Sequence, residues 1–134
     1  MKIALRYLPQ DIEALDLISR CYYNLKDYDE TLKYAYEGYK VSLRDRDFHC
    51  MEMLCYNIAN SYYNTGDNEK ALDFYQKAHE QNPNDKDNLY FIGACYRNMK
   101  IYDKALEAFE KANKIDPEDE GIMQQIDLCK SMVK

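Results

Sequence analysis

The chain has 134 residues, of which 46% are hydrophobic and 31% charged, and its formal net charge is −6. A chain of this length and composition forms one domain with a real core, and no segment approaches the roughly 18 apolar residues of a membrane span. Because the charge is negative and no cluster of Lys and Arg stands out, we do not expect nucleic acid or an anionic membrane surface as a ligand.

Gly and Pro are scarce, at 4 and 3 residues, and this composition favours helix over sheet. The five cysteines are odd in number and form no CxxC pair, so neither a disulfide framework nor a structural zinc site is expected. Reduced thiols are typical of a reducing compartment, and we therefore expect a cytoplasmic protein.

Two stretches of the chain align without a gap. CYNIANSYYNTGDNEKALDFYQKAHEQNP begins at Cys55, and LYFIGACYRNMKIYDKALEAFEKANKIDP begins 34 positions later at Leu89. The alignment pairs Tyr with Tyr, Ala with Ala, aromatic with aromatic and Pro with Pro. A fixed period of this length indicates stacked supersecondary units, since each unit buries its apolar face only against its neighbours.

This period and its residue types resemble the tetratricopeptide repeat (TPR) family, whose unit is a helical hairpin. In residues 86–119 the resemblance is carried by Leu89, Ile92, Gly93, Tyr96, Ala105, Phe109, Ala112 and Pro117. In residues 52–85 it is carried by Cys55, Ile58, Ala59, Tyr62, Ala71, Tyr75, Ala78 and Pro83, where Cys55 is smaller than usual. The resemblance implies an all-α fold, a right-handed superhelix (α-solenoid) of stacked antiparallel helix hairpins.

In chain order, the resemblance divides the single TPR domain, 1–134, into 1–11 as the end of a preceding repeat helix, 12–51 as a first, lengthened repeat, 52–85 and 86–119 as the second and third repeats, and 120–134 as a capping helix. Ala4 and Pro9 carry the first assignment, and they suggest that the chain is cut from a longer protein. The first repeat departs from the pattern at Ala35, where an aromatic residue is usual. We expect its second helix to run past Lys40.

In this family the first helices of the hairpins line a concave face. Carried onto this chain, the predicted peptide-binding groove consists of Arg20, Tyr23, Asn24, Tyr56, Asn60, Tyr63, Asn64, Tyr90, Arg97 and Asn98. Tyr rings provide apolar contact area at low entropy cost, an Asn amide can both donate to and accept from a peptide unit, and Arg can pair with a carboxylate of the ligand.

Structural interpretations of these residues stay open beside the ligand-binding ones. Asn24, Asn64 and Asn98 lie near the ends of their helices, where Asn tolerates a turn conformation. The tyrosines of the groove suit half-buried packing, and Arg20 and Arg97 suit pairing with acids of the groove.

Some domains of this family clamp the acidic tails of heat-shock chaperones with Lys, Arg and Asn. The matching positions here hold Asp16, Arg20, Asn57, Asp87 and Phe91, of which only Asn57 fits. We therefore do not expect clamping of such tails.

The resemblance implies a protein–protein interaction module that binds a peptide or extended segment of a partner protein. The alternative is a structural or assembly element that packs within a larger protein or self-associates, since apolar Ile3, Leu5 and Leu8 need cover. Catalysis is not expected, because the sequence shows no phosphate loop, metal set or nucleophile–base pair. We accordingly predict no cofactor, no metal, and a protein or peptide as the partner.

Overall fold

The computed structural model describes residues 11–133, which form seven α-helices and no strand. The helices are α1 (Ile12–Asn24), α2 (Tyr28–Asp45), α3 (Phe48–Thr65), α4 (Asn68–Gln81), α5 (Lys86–Asn98), α6 (Tyr102–Ile115) and α7 (Glu120–Met132). Consecutive helices pack against each other along the whole series, and α1 also contacts α3. The result is an all-α solenoid of helical hairpins. Apart from Asp11, the predicted end of a preceding helix over residues 1–11 lies outside the described residues.

Six of the seven helices begin with an aspartate whose carboxylate accepts a hydrogen bond from a backbone N–H of the first turn. These N-cap residues are Asp11, Asp27, Asp47, Asp67, Asp85 and Asp119. Each one pairs a donor that the helix itself leaves unsatisfied, and its charge suits the positive end of the helix dipole. The cap of α6 is Ile101, which makes no such bond.

The turn inside each hairpin contains one residue with a left-handed backbone: Lys26 at φ 61°, Gly66 at φ 89° and Lys100 at φ 64°. The residue that follows each of them donates its N–H back to the carbonyl of a Tyr in the last turn, over 2.9 Å in all three hairpins. This is the bond of a Schellman-type helix ending, and its recurrence means that the three hairpins turn in the same way.

The longer first repeat lengthens two helices. α2 and α3 each contain 18 residues, whereas α4 and α6 contain 14. α2 runs past Lys40 to Asp45, as predicted, and α3 begins at Phe48, ahead of residue 52, where the sequence placed the start of the second repeat. Arg46, with φ 56°, makes the short turn between them.

Small residues let the helices of a hairpin approach closely. Ala59, Ala71 and Ala105 are fully buried, and a Cβ added at Gly93 would lie 2.8 Å from the ring of Phe109. The largest buried cluster centres on α3 and α4. No helix within residues 11–133 is both long enough and apolar enough to cross a membrane.

Candidate functional site

The predicted groove residues lie on α1, α3 and α5, the first helices of the three hairpins. Arg20, Asn24, Asn64 and Asn98 are exposed, while the remaining six are half-buried. All ten side chains are thus at least partly accessible, and most have structural contacts that limit what they can offer to a ligand.

Stacked and edge-on aromatic rings form the centre of this surface. The rings of Tyr75 and Phe91 stack with their centroids 5.1 Å apart. Tyr56 and Tyr63 meet both rings edge-on, at centroid distances between 5.5 and 6.4 Å, and Tyr90 packs edge-on against Phe91 at 5.5 Å. Edge-on and offset contacts are the favoured geometries of aromatic pairs, so the tyrosines are held in place by fixed packing.

A chain of hydrogen bonds crosses from the first repeat to the second. Asn64 Nδ2 donates to the hydroxyl of Tyr23 over 2.9 Å and to the carbonyl oxygen of Asn60 over 2.8 Å. The hydroxyl of Tyr75 donates to Asn60 Oδ1. An amide nitrogen has two protons, so both donors of Asn64 are engaged. What it can offer a ligand is its acceptor Oδ1, beside the hydroxyl proton of Tyr23.

Burial keeps the phenols of this cluster protonated. It raises the pKa of Tyr56 to about 12, where the nearby charge of Asp87 adds to the effect and the amide of Asn60 opposes it. Burial also raises the pKa of Tyr75 well above its usual range. Desolvation disfavours the charged form of an acid, so these hydroxyls remain neutral donors at physiological pH.

The two arginines differ in their partners. Arg20 forms an ion pair with Asp16 at 3.3 Å. Arg97 donates to Gln125 Oε1 on α7 over 2.5 Å and to Asn98 Oδ1 over 3.3 Å. Pairing with an acid of the groove therefore holds for Arg20, whereas the partners of Arg97 are amides and leave its charge uncompensated by these contacts.

The asparagines at the helix ends do not make the turns themselves. The left-handed residue is Lys26, Gly66 or Lys100, two positions after the respective Asn. Asn98 Nδ2 donates instead to Asn68 Oδ1 over 3.2 Å, which ties α5 to the start of α4. The turn-conformation interpretation of Asn24, Asn64 and Asn98 is therefore wrong, because the backbone turns after them.

Several residues that shape this surface were not among the predicted site residues. Phe91 supplies the ring on which Tyr56, Tyr63 and Tyr90 pack. Asn57 donates to Asp16 Oδ1 over 3.1 Å and holds the α1–α3 contact. Phe91 and Asn57 hold the same position in consecutive repeats, 34 residues apart. The sequence marks that position, but only the structure shows that Phe91 packs among the tyrosine rings.

The metal-ligating side chains of the described residues form no cluster suited to a metal ion, and the thiols form no disulfide. Within residues 11–133 no group of three or more His, Cys, Asp or Glu side chains could hold a metal ion. The five cysteines are free thiols. Burial raises the pKa of Cys55 and Cys95 to about 12 and that of Cys50 to about 11, so these three are protonated, unreactive thiols at neutral pH.

Comparison with known proteins bears on the family. The profile of the tetratricopeptide repeat matches residues 53–85 and 88–119. The chain contains two tetratricopeptide repeats. Two consecutive matches in the same part of the chain as the aligned stretches agree with the seven-helix solenoid. A search of curated protein sequences found no match.

Solved tetratricopeptide repeat structures have the same fold. MamA superposes with a TM-score of 0.88 at 23% identity, over 98% of this chain and 68% of that one. The first TPR of Spaghetti (RPAP3), bound to the HSP90 peptide SRMEEVD, gives 0.81 at 16% identity over 91% and 92% of the two chains. The Sgt2 TPR domain from Aspergillus fumigatus gives 0.76 at 17% identity over 91% and 78%. These identities support a common fold only.

Proposed function

We propose that this tetratricopeptide repeat protein is a protein-interaction module that binds an extended segment of a partner polypeptide along the groove residues of α1, α3 and α5. The observation that supports it is the pairing of Asn64 with Tyr23 across two repeats. It places an acceptor, Asn64 Oδ1, beside a donor, the Tyr23 hydroxyl. Those two groups match the N–H and C=O of a peptide backbone.

The aromatic surface supports the same proposal. Half-buried Tyr56, Tyr63 and Tyr90 are held by fixed ring contacts. Pre-organised Tyr side chains lose little entropy when a ligand covers them. Repeat solenoids present extended concave surfaces of this kind. Free thiols at all five cysteines suit a reducing compartment, and a cytoplasmic site of action belongs to this proposal.

The charges of the groove argue against an acidic tail as its ligand. Arg20 is already paired with Asp16, Asp87 is exposed on α5, and Phe91 packs on Tyr75. Clamping a run of carboxylates requires several cations that are free to meet them, and Arg97 alone has no acidic partner in its contacts. An uncharged or mixed-charge segment fits this surface better.

The proposal is tested with peptides selected from a displayed random library on the wild-type protein. Binding is then measured by isothermal titration for wild type, Tyr23→Phe and Asn64→Ala. Loss of one hydrogen bond is worth about 0.5–1.5 kcal/mol, so each change should weaken binding by roughly 2- to 13-fold.

Tyr62→Phe is the matched control, because its hydroxyl bonds that of Tyr36 at 2.9 Å between α2 and α3, away from the groove residues. Peptides that bind wild type, Tyr23→Phe, Asn64→Ala and Tyr62→Phe with equal affinity would refute the groove assignment. Circular dichroism establishes that each variant is folded.

A second candidate, self-association or stacking within a larger assembly, is supported by α7. Met123, Leu128 and Met132 on this helix are exposed at 41%, 47% and 51%. Exposed apolar side chains on a terminal helix are a surface for further packing. The predicted contribution of Ile3, Leu5 and Leu8 lies outside the described residues. Sedimentation equilibrium of wild type and Met123→Lys/Leu128→Lys tests it, and a wild type that stays monomeric at high concentration speaks against it.

A further inference from the structure

A cluster of aromatic rings fills the junction between the first and second repeats. The ring of Phe74 on α4 packs edge-on against Tyr36 and Tyr39 of α2, at centroid distances of 5.5 and 5.7 Å, and lies over Tyr62 of α3 at 6.4 Å. The ammonium group of Lys77 lies 4.8 Å from the Phe74 ring centroid. Phe74 is only 8% exposed, so it closes this junction.

The next junction is built from the equivalent positions, but it lacks this ring. Ala108 stands 34 positions after Phe74, and Tyr96 stands 34 after Tyr62. Because the first repeat is 40 residues long, Gln76 is equivalent to Tyr36 and His79 is equivalent to Tyr39. At this junction the structure contains a cavity of about 260 Å³ between side chains of α4, α5 and α6. We name it the convex pocket.

The convex pocket has an apolar floor and polar walls. Leu89, Ile92 and Ala108 provide the floor. The wall includes Tyr96, whose hydroxyl accepts from Gln76 Nε2 over 3.4 Å, and His79, whose Nδ1 is buried and has no hydrogen-bond partner among the described residues. An apolar cavity of about 150 Å³ is enough to bind benzene, so one aromatic side chain fits this space.

Two lysines and one glutamate are the charged residues that line the convex pocket. Lys104 Nζ lies 5.8 Å from the ring centroid of Tyr96, and Lys111 forms an exposed ion pair with Glu107 at 3.4 Å. Lys104, Lys111 and Glu107 together give the lining a net charge of one positive unit. Although the protein as a whole is acidic, an acidic residue beside the incoming ring is favoured at this place.

We propose that the convex pocket is a second docking site, which receives an aromatic side chain from a partner polypeptide in the place that Phe74 fills at the preceding junction. A tyrosine flanked by acidic residues suits it, because Lys104 and Lys111 favour carboxylates beside the incoming ring. The site does not depend on the proposed groove. On α5, pocket residues Leu89, Ile92 and Tyr96 point roughly 120° around the helix axis from Tyr90 and Arg97.

The test is an NMR titration of the full chain with the peptide acetyl-Asp-Tyr-Asp-amide, carried to millimolar concentration. We expect saturable shifts of the amides of Leu89, Ile92 and Ala108. In Ala108→Phe the introduced ring occupies the pocket, and binding should weaken by at least about tenfold. Acetyl-Asp-Ala-Asp-amide is the control peptide, for which we expect no saturable shift. Absence of saturation with the tyrosine peptide, or equal binding to Ala108→Phe, would overturn the proposal.

Phe74→Ala supplies a gain-of-binding arm at the preceding junction. Removal of the ring should open an equivalent pocket, so the tyrosine peptide should then also shift the amides of Ile58 and Tyr62. Circular dichroism confirms that both variants fold, and the Ala108→Phe arm stands by itself if Phe74→Ala does not. If sedimentation equilibrium showed a wild-type dimer that Ala108→Phe dissociates, the ring would come from a second copy, and a different partner chain would be ruled out as the occupant.

Discussion

Gly93 on α5 lies directly against the ring of Phe109 on α6. A Cβ at this position would be 2.8–2.9 Å from three ring carbons of Phe109, which is fully buried and closely packed. Real Cβ atoms do not approach that closely, so a larger residue requires the ring or the helix to move. At the residue scale, the small side chain is what sets the spacing of the hairpin.

We expect Gly93→Ala to destabilise the protein. Overpacking costs about 1–3 kcal/mol, and the gain of about 1 kcal/mol in helix propensity only partly offsets it. Urea denaturation gives the free energy of unfolding. Gly121→Ala on α7 is the control, since its Cβ would lie 3.2 Å from Asp119 Oδ1, a milder contact with a side chain that can move, and it should cost less stability than Gly93→Ala. A Gly93→Ala protein as stable as wild type would show that α5 and α6 can separate at little cost.

Asp16 is the one buried acid of the described residues, with 8% exposure. Burial raises the pKa of its carboxyl group, against the lowering effects of Arg20, the amide of Asn57 and His49. A folded-state pKa above the unfolded value means that protonation favours the folded state. This stabilisation is complete below the unfolded pKa of about 3.9 and is lost as the pH rises through the folded pKa.

We therefore expect the stability of Asp16→Asn relative to wild type to increase as the pH is raised from about 3. The amide keeps the shape of the side chain and can still bond Asn57. Unfolding free energies measured across the acid range provide the test, with Glu110→Gln, an exposed change on α6, as the control. A difference between Asp16→Asn and wild type that does not vary with pH would contradict the raised pKa.

Helix caps set the stability of individual elements. Asp67 Oδ1 accepts from the N–H of Lys70 over 3.2 Å at the start of α4. Ile101 holds the equivalent place at the start of α6 and makes no side-chain bond there. It is 37% exposed, so its replacement also removes some apolar contact.

Ile101→Asp should be more stable than Ile101→Ala by about 0.5–2 kcal/mol, because Asp caps the first turn of α6 and complements the helix dipole. Ile101→Ala, which removes the same apolar side chain without adding a cap, is the matched control. Thermal unfolding compares the two. If Ile101→Asp melts no higher than Ile101→Ala, the missing cap is not a weakness of this helix.

At the scale of the whole molecule, the array is a row of hairpins that contact their neighbours. The largest buried cluster joins α3 and α4 to parts of α2 and α5. α7 packs against α6 on one side and exposes Met123 and Leu128 on the other. In such arrays stability is roughly a sum of unit and interface terms, and the ends open first.

We expect amide hydrogen exchange to be slowest in α3 and α4 and faster in α7, because an end helix can open without disturbing the other interfaces. NMR exchange rates of buried amides, such as those of Ile58 and Ile126, provide the comparison. Equal protection in both helices would mean that the seven helices unfold as one cooperative unit.

The sequence by itself determined the hairpin repeat and the family. Small residues such as Gly93 and large ones such as Phe109 recur at a fixed spacing, and that spacing alone dictates which helices pack together. It also placed the groove residues on the first helices, although their role in binding stays a prediction. Helix ends were less predictable in the longer first repeat. No proline marks the turn between α2 and α3, whereas Pro83 and Pro117 mark the corresponding turns later in the chain, and α3 starts at Phe48.

Only the tertiary structure decided which chemical groups are left for a ligand. Tyr23 and Asn64 are 41 positions apart, and the amide nitrogen of Asn64 donates to the hydroxyl of Tyr23. This bond leaves Asn64 Oδ1 and the Tyr23 hydroxyl proton for a ligand. The space beside Ala108 is empty because no ring reaches it, while the ring of Phe74 fills the equivalent space one repeat earlier. Such contacts depend on side-chain geometry between distant residues, and a repeat pattern records residue types and spacing without recording that geometry.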